Sequence, residues 1–260
     1  MVRDAHYRAK RVHRARGLAA LDRHVGGIVA EIDARLAHAD VVRILELGCG
    51  YGTALLELRA RYGSRVELHG QNRLHDDGNA DILRRNAREQ RIFGDAPVDA
   101  VDLPVIAYGD AAAGLPFAND FFDVVVSQVA WLYFGRKIDV VRNVIRVLRK
   151  DGIAKIDADE VRPGLPAEYA RLIEIWQDGA LVPFGDYLAR HGLALAPAPD
   201  GGHYLRLQKV PAFGDDLEQV FEIDLATVHA HWDGIKCVYR TLVRSPDPPT
   251  APPAPDGRES

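Results

Sequence analysis

Apolar and polar positions along this chain switch repeatedly between helical and extended spacing. Apolar residues recur at three- and four-residue steps from residue 18 to residue 36, which predicts one helix over Leu18–Leu36. Between residues 40 and 160, short apolar runs predict strands and amphipathic stretches predict helices. The strands are Arg43–Leu47, Arg65–His69, Pro104–Tyr108, Phe121–Ser127 and Ile153–Asp157, and the helices are Asp81–Gln90 and Ile138–Leu148. This alternation favours an α/β fold, with a Rossmann-like, doubly wound, mostly parallel sheet and helices on both faces.

The pattern changes after Pro163. Helices are predicted at Ala167–Trp176 and Asp186–Arg190, followed by a strand at His203–Val210. The runs Val220–Val228 and Ile235–Val243 predict an extra C-terminal β-hairpin whose tip is His231-Trp232-Asp233-Gly234.

These elements suggest three parts. Residues 1–38 are expected to form an N-terminal helical lid or extension. Residues 39–244 are expected to form the main domain, with its core at 40–160 and an elaboration at 160–243 that borders the substrate. Residues 245–260 hold six prolines without apolar periodicity, which predicts a disordered tail.

Composition narrows the functional classes. A net charge of −4 gives no general attraction to nucleic acid or a membrane surface, although residues 1–16 carry six cations against one acid. That basic segment is read as a solvated helix face, with a lid helix or an anion-attracting arm as alternatives. Two cysteines provide neither a disulfide framework nor a metal cluster, so no metal is expected. The chain shows no membrane-length apolar run and no secretory signal, so a cytoplasmic protein is expected.

The most informative segment runs from Ile44 to Thr53. Its apolar strand reaches Glu46 and is followed by glycines at alternate positions, Gly48, Gly50 and Gly52. Such a strand-to-helix turn leaves backbone bare enough for a nucleotide-like ligand to approach. A dinucleotide fingerprint needs glycine where this chain has Thr53, which argues against a dehydrogenase. The acid-x-G-x-G-x-G pattern instead resembles motif I of the class I S-adenosylmethionine (SAM)-dependent methyltransferases.

Two further segments carry the same resemblance, which covers residues 40–160. Gly109-Asp110-Ala111 followed by Leu115-Pro116-Phe117 resembles the family's GDA…LPF segment, and Phe122–Ser127 resembles its FDxVxS strand. The resemblance implies SAM as cofactor and a seven-stranded sheet closed by a reversed strand.

The resemblance also assigns cofactor contacts. It places Glu46 near the methionine end, and the backbone of Gly48, Cys49, Gly50 and Gly52 along the methionine and ribose. Asp110 would accept from the adenine amino group, the N–H of Ala111 would meet the ring, and Ser127 and Gln128 would face the methyl-donor cleft.

The chain departs from the family after the second strand. The family has a carboxylate there that accepts both ribose hydroxyls, whereas this chain has Gln71-Asn72. Asn72 occupies the carboxylate's position, so an amide would hold one hydroxyl, with weaker cofactor affinity, a modified cofactor or lost catalysis as open consequences.

The residues directly after the fourth strand indicate the class of methyl acceptor. There is no Asn/Asp-Pro-Pro-aromatic sequence and no Pro-Cys, which disfavours adenine, glutamine and pyrimidine acceptors. Trp131 and Tyr133 lie in an aromatic cluster suited to a flat, apolar or cationic small molecule, with core packing as the alternative.

Candidates for the general base lie at predicted strand ends and loops. We select His231 at the hairpin tip first and Asp159 second; Asp157, Glu160, His203 and His229 are the other candidates.

Three functions remain open. A methyltransferase that acts on a small-molecule acceptor at O, N or C is preferred. Within this class, a bacterial tailoring enzyme of secondary metabolism is favoured. An RNA or protein methyltransferase would use the basic N-terminal arm together with Arg84, Arg85, Arg88 and Arg91. A non-catalytic SAM-fold binding protein is the third. The oligomeric state is open, with a homodimer as one option.

Overall fold

The structure of the 260-residue chain is a computed structural model. It describes residues 16–134, 137–157, 174–177, 180–183, 194–197, 203–209, 224–232 and 237–244. None of the helices in these ranges has the length and apolar character that a membrane crossing requires. Within the same ranges, His, Cys, Asp and Glu side chains form no group of three or more that could hold a metal ion.

The α/β character and the alternation of elements agree with the sequence prediction. The helices are α1 Leu18–Val25, α2 Ile28–Leu36, α3 Thr53–Tyr62, α4 Ala80–Glu89 and α5 Lys137–Val147. The strands of the main sheet are β1 Val42–Leu47, β2 Val66–Asn72, β3 Val105–Tyr108, β4 Phe122–Ser127, β5 Leu148–Asp157, β8 Ala194–Pro197 and β9 His203–Gln208. The others are β6 Glu174–Gln177, β7 Ala180–Pro183, β10 Asp224–Trp232 and β11 Cys237–Arg244.

The main sheet is mostly parallel and has the order β3-β2-β1-β4-β5-β9-β8. The pairs β1–β2, β2–β3, β1–β4 and β4–β5 are parallel, whereas β9 is antiparallel to both β5 and β8. The chain runs outward from β1 to β3 and then returns to β4 on the other side of β1. In doubly wound sheets, ligands bind at the carboxyl ends of the strands beside such a reversal.

Apolar side chains cover both faces of this sheet. Along β1, Ile44 points into a core shared with α1, α2 and α3, while Leu45 points into a core shared with α5. Strand residues alternate between faces, so a strand buried on both sides must be apolar at nearly every position. The doubly wound arrangement predicted from the sequence is therefore present.

The predicted single helix over Leu18–Leu36 is wrong. It breaks at Gly26 and Gly27, whose φ angles of 63° and 72° lie in the left-handed region that glycine adopts most easily. The apolar periodicity continues through the break because α1 and α2 pack on the same core, so it hid the break.

The region after residue 160 also differs from the prediction. Residues 174–176 were assigned to the end of a helix, but they belong to strand β6, which pairs with β7. The strand predicted at His203–Val210 is β9, the reversed strand. Asp186–Arg190 and the tail at 245–260 lie outside the described residues.

The C-terminal strands β10 and β11 pair antiparallel and belong to a second sheet, of order β10-β11-β6-β7. β10 ends at Trp232, so His231 lies within a strand and pairs with Val238. The prediction that placed His231 and Trp232 in the hairpin tip is wrong, because β-pairing extends further along the chain than the sequence pattern indicated.

Candidate active site

The carboxyl end of β1 opens into a loop that needs three glycines. Gly48, Gly50 and Gly52 have φ angles of 65°, 55° and 68°, a region that side chains with a Cβ disfavour. Gly48 also lies against the segment that follows β4, because a Cβ added to it would come within 2.4 Å of the Ala130 Cβ. Gly52 is the N-cap of α3. The glycine pattern noted in the sequence therefore corresponds to a tightly bent backbone at the sheet edge where a ligand is expected.

Two buried polar atoms beside this loop have no hydrogen-bond partner among the described residues. They are Oε2 of Glu46, on β1, and Nε2 of Gln128, directly after β4. Glu46 is opposite Val126 in the β1–β4 pairing, so both side chains arise at adjacent carboxyl strand ends. A buried polar group without a partner is costly unless a ligand supplies one. The pair offers one acceptor and one donor, which complements the ammonium and carboxylate of an α-amino acid moiety.

The Glu46 carboxyl is held in its neutral form. Burial, and to a lesser extent the nearby charge of Glu57, raise the pKa of Glu46 from 4.5 to about 8. Glu57 accepts a hydrogen bond from the backbone N–H of Leu18 at the start of α1. A cationic ligand group beside Glu46 would favour its ionised form.

The end of β2 is tied to the glycine loop. Asn72 accepts from the Gly50 N–H through Oδ1 at 2.9 Å and donates from Nδ2 to the Gly50 carbonyl at 3.0 Å. The Gln71 carbonyl accepts from the N–H of Gly48 at 2.7 Å and of Cys49 at 3.2 Å. Both side chains are buried, so β2 fixes the shape of the loop. The contact expected between the Asn72 amide and a ribose hydroxyl of the cofactor would therefore compete with the hydrogen bonds from Asn72 to Gly50.

The segment after β2 closes over the same loop. A Cβ added to Gly78 would lie 1.8 Å from the Gly50 carbonyl oxygen and 2.9 Å from Asn72 Nδ2. The Tyr108 hydroxyl donates to the Gly78 carbonyl at 3.2 Å. Asp77, just before this glycine, is buried, whereas the Asp76 side chain is 80% exposed. Sequence inspection did not identify Gly78, because only the folded loop shows what lies against it.

The segment after β3 presents a second polar edge. Asp110 accepts from the Ala112 N–H through Oδ1 at 2.9 Å, and its side chain is otherwise exposed. Asn143, on α5, donates from Nδ2 to the carbonyls of Ala111 and Ala112 at 3.0 and 3.2 Å. Gln71 donates from Nε2 to the Gly109 carbonyl at 2.6 Å. The loop that carries Asp110 is thus anchored from both sides, with an acceptor oxygen left at its exposed end.

The comparisons with known proteins agree with this geometry. Residues 45–156 match the family model described as "Methyltransferase domain". These residues are therefore similar to the class I SAM-dependent methyltransferase domain. The similarity to this family implies SAM as the cofactor. The three-glycine loop fits that molecule, as do the acceptor at Glu46 and the donor at Gln128, which have no partner within the described residues.

Three known proteins are similar to parts of this chain. A glycine/sarcosine/dimethylglycine N-methyltransferase from Actinopolyspora halophila is 32% identical over 110 residues, which cover 42% of this chain and 17% of that protein. A solved structure of a proposed SAM-dependent methyltransferase from Methanococcus maripaludis covers 79% of this chain and 91% of its own, with 13% identity and a TM-score of 0.49. A proposed sarcosine dimethylglycine methyltransferase from Galdieria sulphuraria covers 64% of this chain and 60% of its own, with 18% identity and a TM-score of 0.42. The chain therefore spans about a sixth of the length of its curated relative.

Some side chains that the sequence assigned to the methyltransferase site are engaged elsewhere. The Ser127 hydroxyl donates to the Leu47 carbonyl at 3.1 Å and is fully buried. Burial raises the pKa of the Cys49 thiol well above its ordinary value, with a further contribution from Glu46. The Cys49 side chain belongs to the core beside α3, so the Cys49 backbone is the part available to the loop.

The residues predicted to contact the substrate or to catalyse methyl transfer lie in different parts of the fold. Trp131 is 3% exposed, belongs to the core beside α5 and has its ring 6.4 Å from that of Phe134 in an edge contact. Tyr133, in the same short helical turn Trp131–Tyr133, is half-buried. His231 lies on β10 of the second sheet, and Asp159 lies outside the described residues.

Another candidate base has a structural partner. Asp157 is buried at the end of β5 and accepts from the Val129 N–H through Oδ2 at 3.0 Å. Asn86 has a comparable role on α4, because its Nδ2 donates to the Tyr51 carbonyl at 3.2 Å and to Thr53 Oγ1 at 2.7 Å. Asn86 is a polar residue on the buried face of an amphipathic helix, which is a signal that sequence analysis could have used.

Proposed function

We propose that this chain is a SAM-dependent methyltransferase that acts on a small-molecule acceptor. The proposal depends above all on the buried acceptor of Glu46 and the buried donor of Gln128 on neighbouring strands beside the three-glycine loop. Bound SAM supplies an electrophilic methyl group on a sulfonium. Glu46 and Gln128 would hold the methionine end, the backbone of Gly48–Gly52 would pass along the ribose, and Asp110 with the Ala111 N–H would bind the adenine.

In this proposal the protein acts mainly by positioning the acceptor atom against the methyl group. In-line displacement at a methyl group needs the acceptor atom aligned and its proton removed. Residues 1–38 and 160–243 would cover the acceptor, with Tyr133 and Trp131 at its wall. His231 is proposed as the base, with Asp159 second. The tail at 245–260 would take no part.

The relative from Actinopolyspora supports a small acceptor, since its name describes methylation of glycine, sarcosine and dimethylglycine. Small amines are therefore the first acceptors to test, followed by hydroxyl and carbon acceptors. A role in bacterial secondary metabolism is proposed from composition.

The alternative of an RNA methyltransferase would use a group of arginines on α4, and several of these arginines pair with acids. Arg88 pairs with Asp99 at 2.6 Å, Arg84 lies 3.7 Å from the same carboxylate, and Arg85 pairs with Glu89 at 3.1 Å. These three arginines share two acids on the same surface, which leaves less positive charge for an open row of phosphate ligands.

The cofactor half of the proposal is tested by calorimetric titration with SAM and with S-adenosylhomocysteine (SAH). We expect micromolar binding, weakened roughly tenfold by Asp110→Ala because a hydrogen bond to the adenine is lost. Asp102→Ala is the matched control, because Asp102 is a carboxylate with an 84% exposed side chain that pairs with Arg59. Absence of binding by the unaltered protein would overturn the proposal.

The acceptor half is tested with methyl-labelled SAM. Pools of small amines, phenols, carboxylates and carbon nucleophiles are incubated with the protein beside total RNA and denatured protein. Label in a small-molecule pool supports the proposal. Label in RNA or protein alone would favour the macromolecular alternative, and binding of SAM with no transfer to any pool would favour a non-catalytic SAM-fold protein.

A further inference from the structure

The backbone at Val129 adopts a conformation that its side chain disfavours. Its φ angle is 59°, in the left-handed region. The other non-glycine residues with positive φ in the described part of the chain are Arg91, Asp120 and Asp151, which are all polar. Valine is branched at Cβ, so it resists this region more strongly than these residues do. Such a conformation persists only where the surrounding structure enforces it.

Val129 lies between two residues that border the proposed cofactor site. Gln128 precedes it and carries the buried, unpaired Nε2. Ala130 follows it, and its Cβ lies 2.4 Å from where a Cβ on Gly48 would be. A change of φ at Val129 would therefore move the Gln128 amide relative to the glycine loop, and Ala130 with it.

A residue at the end of the neighbouring strand bonds to the backbone of this turn. Asp157 Oδ2 accepts from the Val129 N–H at 3.0 Å across 28 residues of sequence. Asp157 is 5% exposed, and a hydrogen bond from a backbone N–H to a buried carboxylate is stronger than one between neutral groups. β4 and β5 are parallel neighbours, so the carboxyl end of β5 lies beside this turn.

We propose that Asp157 is a positioning residue: by holding Val129 in its strained conformation, it places Gln128 for the methionine carboxylate of the cofactor. This inference rests on the proposed cofactor site. It assigns to Asp157 a role different from the general base that the sequence suggested, because the carboxylate acts through the backbone of Val129.

The test is a double-mutant cycle read by SAH affinity. Asp157→Ala leaves the Val129 N–H without its acceptor and is expected to raise the SAH dissociation constant roughly tenfold. Val129→Gly supplies the second background, in which the turn carries no strain because glycine adopts positive φ easily. In the double variant, the loss caused by Asp157→Ala is expected to shrink to about threefold or less, because the turn no longer needs to be held.

Several outcomes would overturn the proposal. An equal loss of affinity in both backgrounds would show that Asp157 does not act through the strain at Val129. A lowered melting temperature with unchanged SAH affinity in Asp157→Ala would leave Asp157 only a role in stability.

The variant Asp157→Asn separates positioning from base catalysis. Its amide oxygen still accepts from the Val129 N–H, so SAH affinity and methyl transfer are expected to be retained. Normal SAH affinity with lost transfer would identify Asp157 as the base and overturn the proposal.

Failure of the cofactor proposal is recognised separately. It appears as absence of SAH binding by the unaltered protein, whereas failure of the present inference leaves that binding intact. The coupling between Asp157 and Val129 is also measurable without ligand, through the melting temperatures of the same four proteins. Additive changes in those temperatures would contradict the inference even if SAH did not bind.

Discussion

Asn72 bonds to both backbone polar groups of Gly50 through its side-chain amide, accepting from the N–H at 2.9 Å and donating to the carbonyl at 3.0 Å. The side chain that replaces the family's ribose carboxylate is therefore part of the scaffold of the glycine loop. An aspartate at this position would retain the acceptor but lose the donor. Its second oxygen would then face the Gly50 carbonyl.

Asn72→Asp is accordingly expected to weaken the protein although it matches the family pattern. Loss of the buried bond and repulsion between the two oxygens should cost about 1–3 kcal/mol of unfolding free energy. At about 2–4 °C per kcal/mol, this is a clear fall in melting temperature, which differential scanning calorimetry measures. SAH binding should weaken as well. Tighter SAH binding by Asn72→Asp would show that the amide is a poor substitute for a ribose carboxylate.

Glu46 makes stability depend on pH in a defined direction. Its pKa is raised to about 8 in the folded protein from 4.5. The stabilisation from its proton is therefore present below pH 4.5 and is lost as the pH rises to about 8. Glu46→Gln cannot ionise, so its melting temperature should exceed that of the unaltered protein by more at about pH 8.5 than at about pH 5.5. A constant difference would contradict a raised pKa at Glu46.

A matched control for this experiment is Glu67→Gln. Partial burial raises the pKa of Glu67, but Arg43 and His69 outweigh it and leave this pKa below its ordinary value. Glu67 therefore stays ionised in both states over the same pH interval, so its own titration adds no growing difference.

Glu46→Gln should also bind SAH more weakly, because a neutral amide cannot pair with the ligand's ammonium. In the unaltered protein, binding should release a proton as Glu46 ionises. Calorimetry in two buffers of different ionisation enthalpy measures this release below pH 8. Identical heats in both buffers would show that Glu46 does not ionise on binding.

Gly78→Ala tests the contact between the segment after β2 and the glycine loop. The φ angle of Gly78 is 166°, which is extended backbone, so the substitution introduces no conformational strain. Its Cβ would, however, lie 1.8 Å from the Gly50 carbonyl oxygen, and one of the two loops must move. We expect SAH affinity to fall roughly tenfold or more, measured by calorimetry.

Gly94→Ala is the control for this clash. Gly94 has a φ angle of 60° with nothing within 4 Å of an added Cβ, so the variant introduces conformational strain alone. Its unfolding free energy should fall by about 1 kcal/mol with SAH affinity unchanged. Unchanged affinity in Gly78→Ala would mean that the two loops are free to separate.

Asn143→Ala tests how firmly the Asp110 loop is held. The substitution removes the donor shared by the Ala111 and Ala112 carbonyls. SAH affinity is expected to fall several-fold, because the adenine would meet a less ordered loop. Asn143→Asp keeps the shape but not the donor and should behave similarly. If Asn143→Asp retained full affinity, the side chain's shape rather than its hydrogen bonds would hold the loop.

Features that depend on short stretches of chain were predictable from the sequence. The glycines at 48, 50 and 52, the apolar runs of β1, β4 and β5 and the turn at Gly109-Asp110 are local, because each follows from the conformational preferences of neighbouring residues. The wrong predictions arose where a local pattern was ambiguous, as at Gly26 and Gly27, where apolar periodicity continued across a break.

The contacts between polar groups, in contrast, became visible in the folded chain alone. The Asn72–Gly50 bonds join residues 22 positions apart, and the Asp157–Val129 bond joins residues 28 positions apart. The reversed strand β9 lies beside β5 although some 46 residues of sequence separate their ends. An isolated sequence carries no signal for such pairs, because a buried amide or carboxylate is satisfied by whatever donor the fold brings within about 3 Å. The sequence thus predicted which loops border the proposed site, and the packing of parallel strands brings their polar groups into contact.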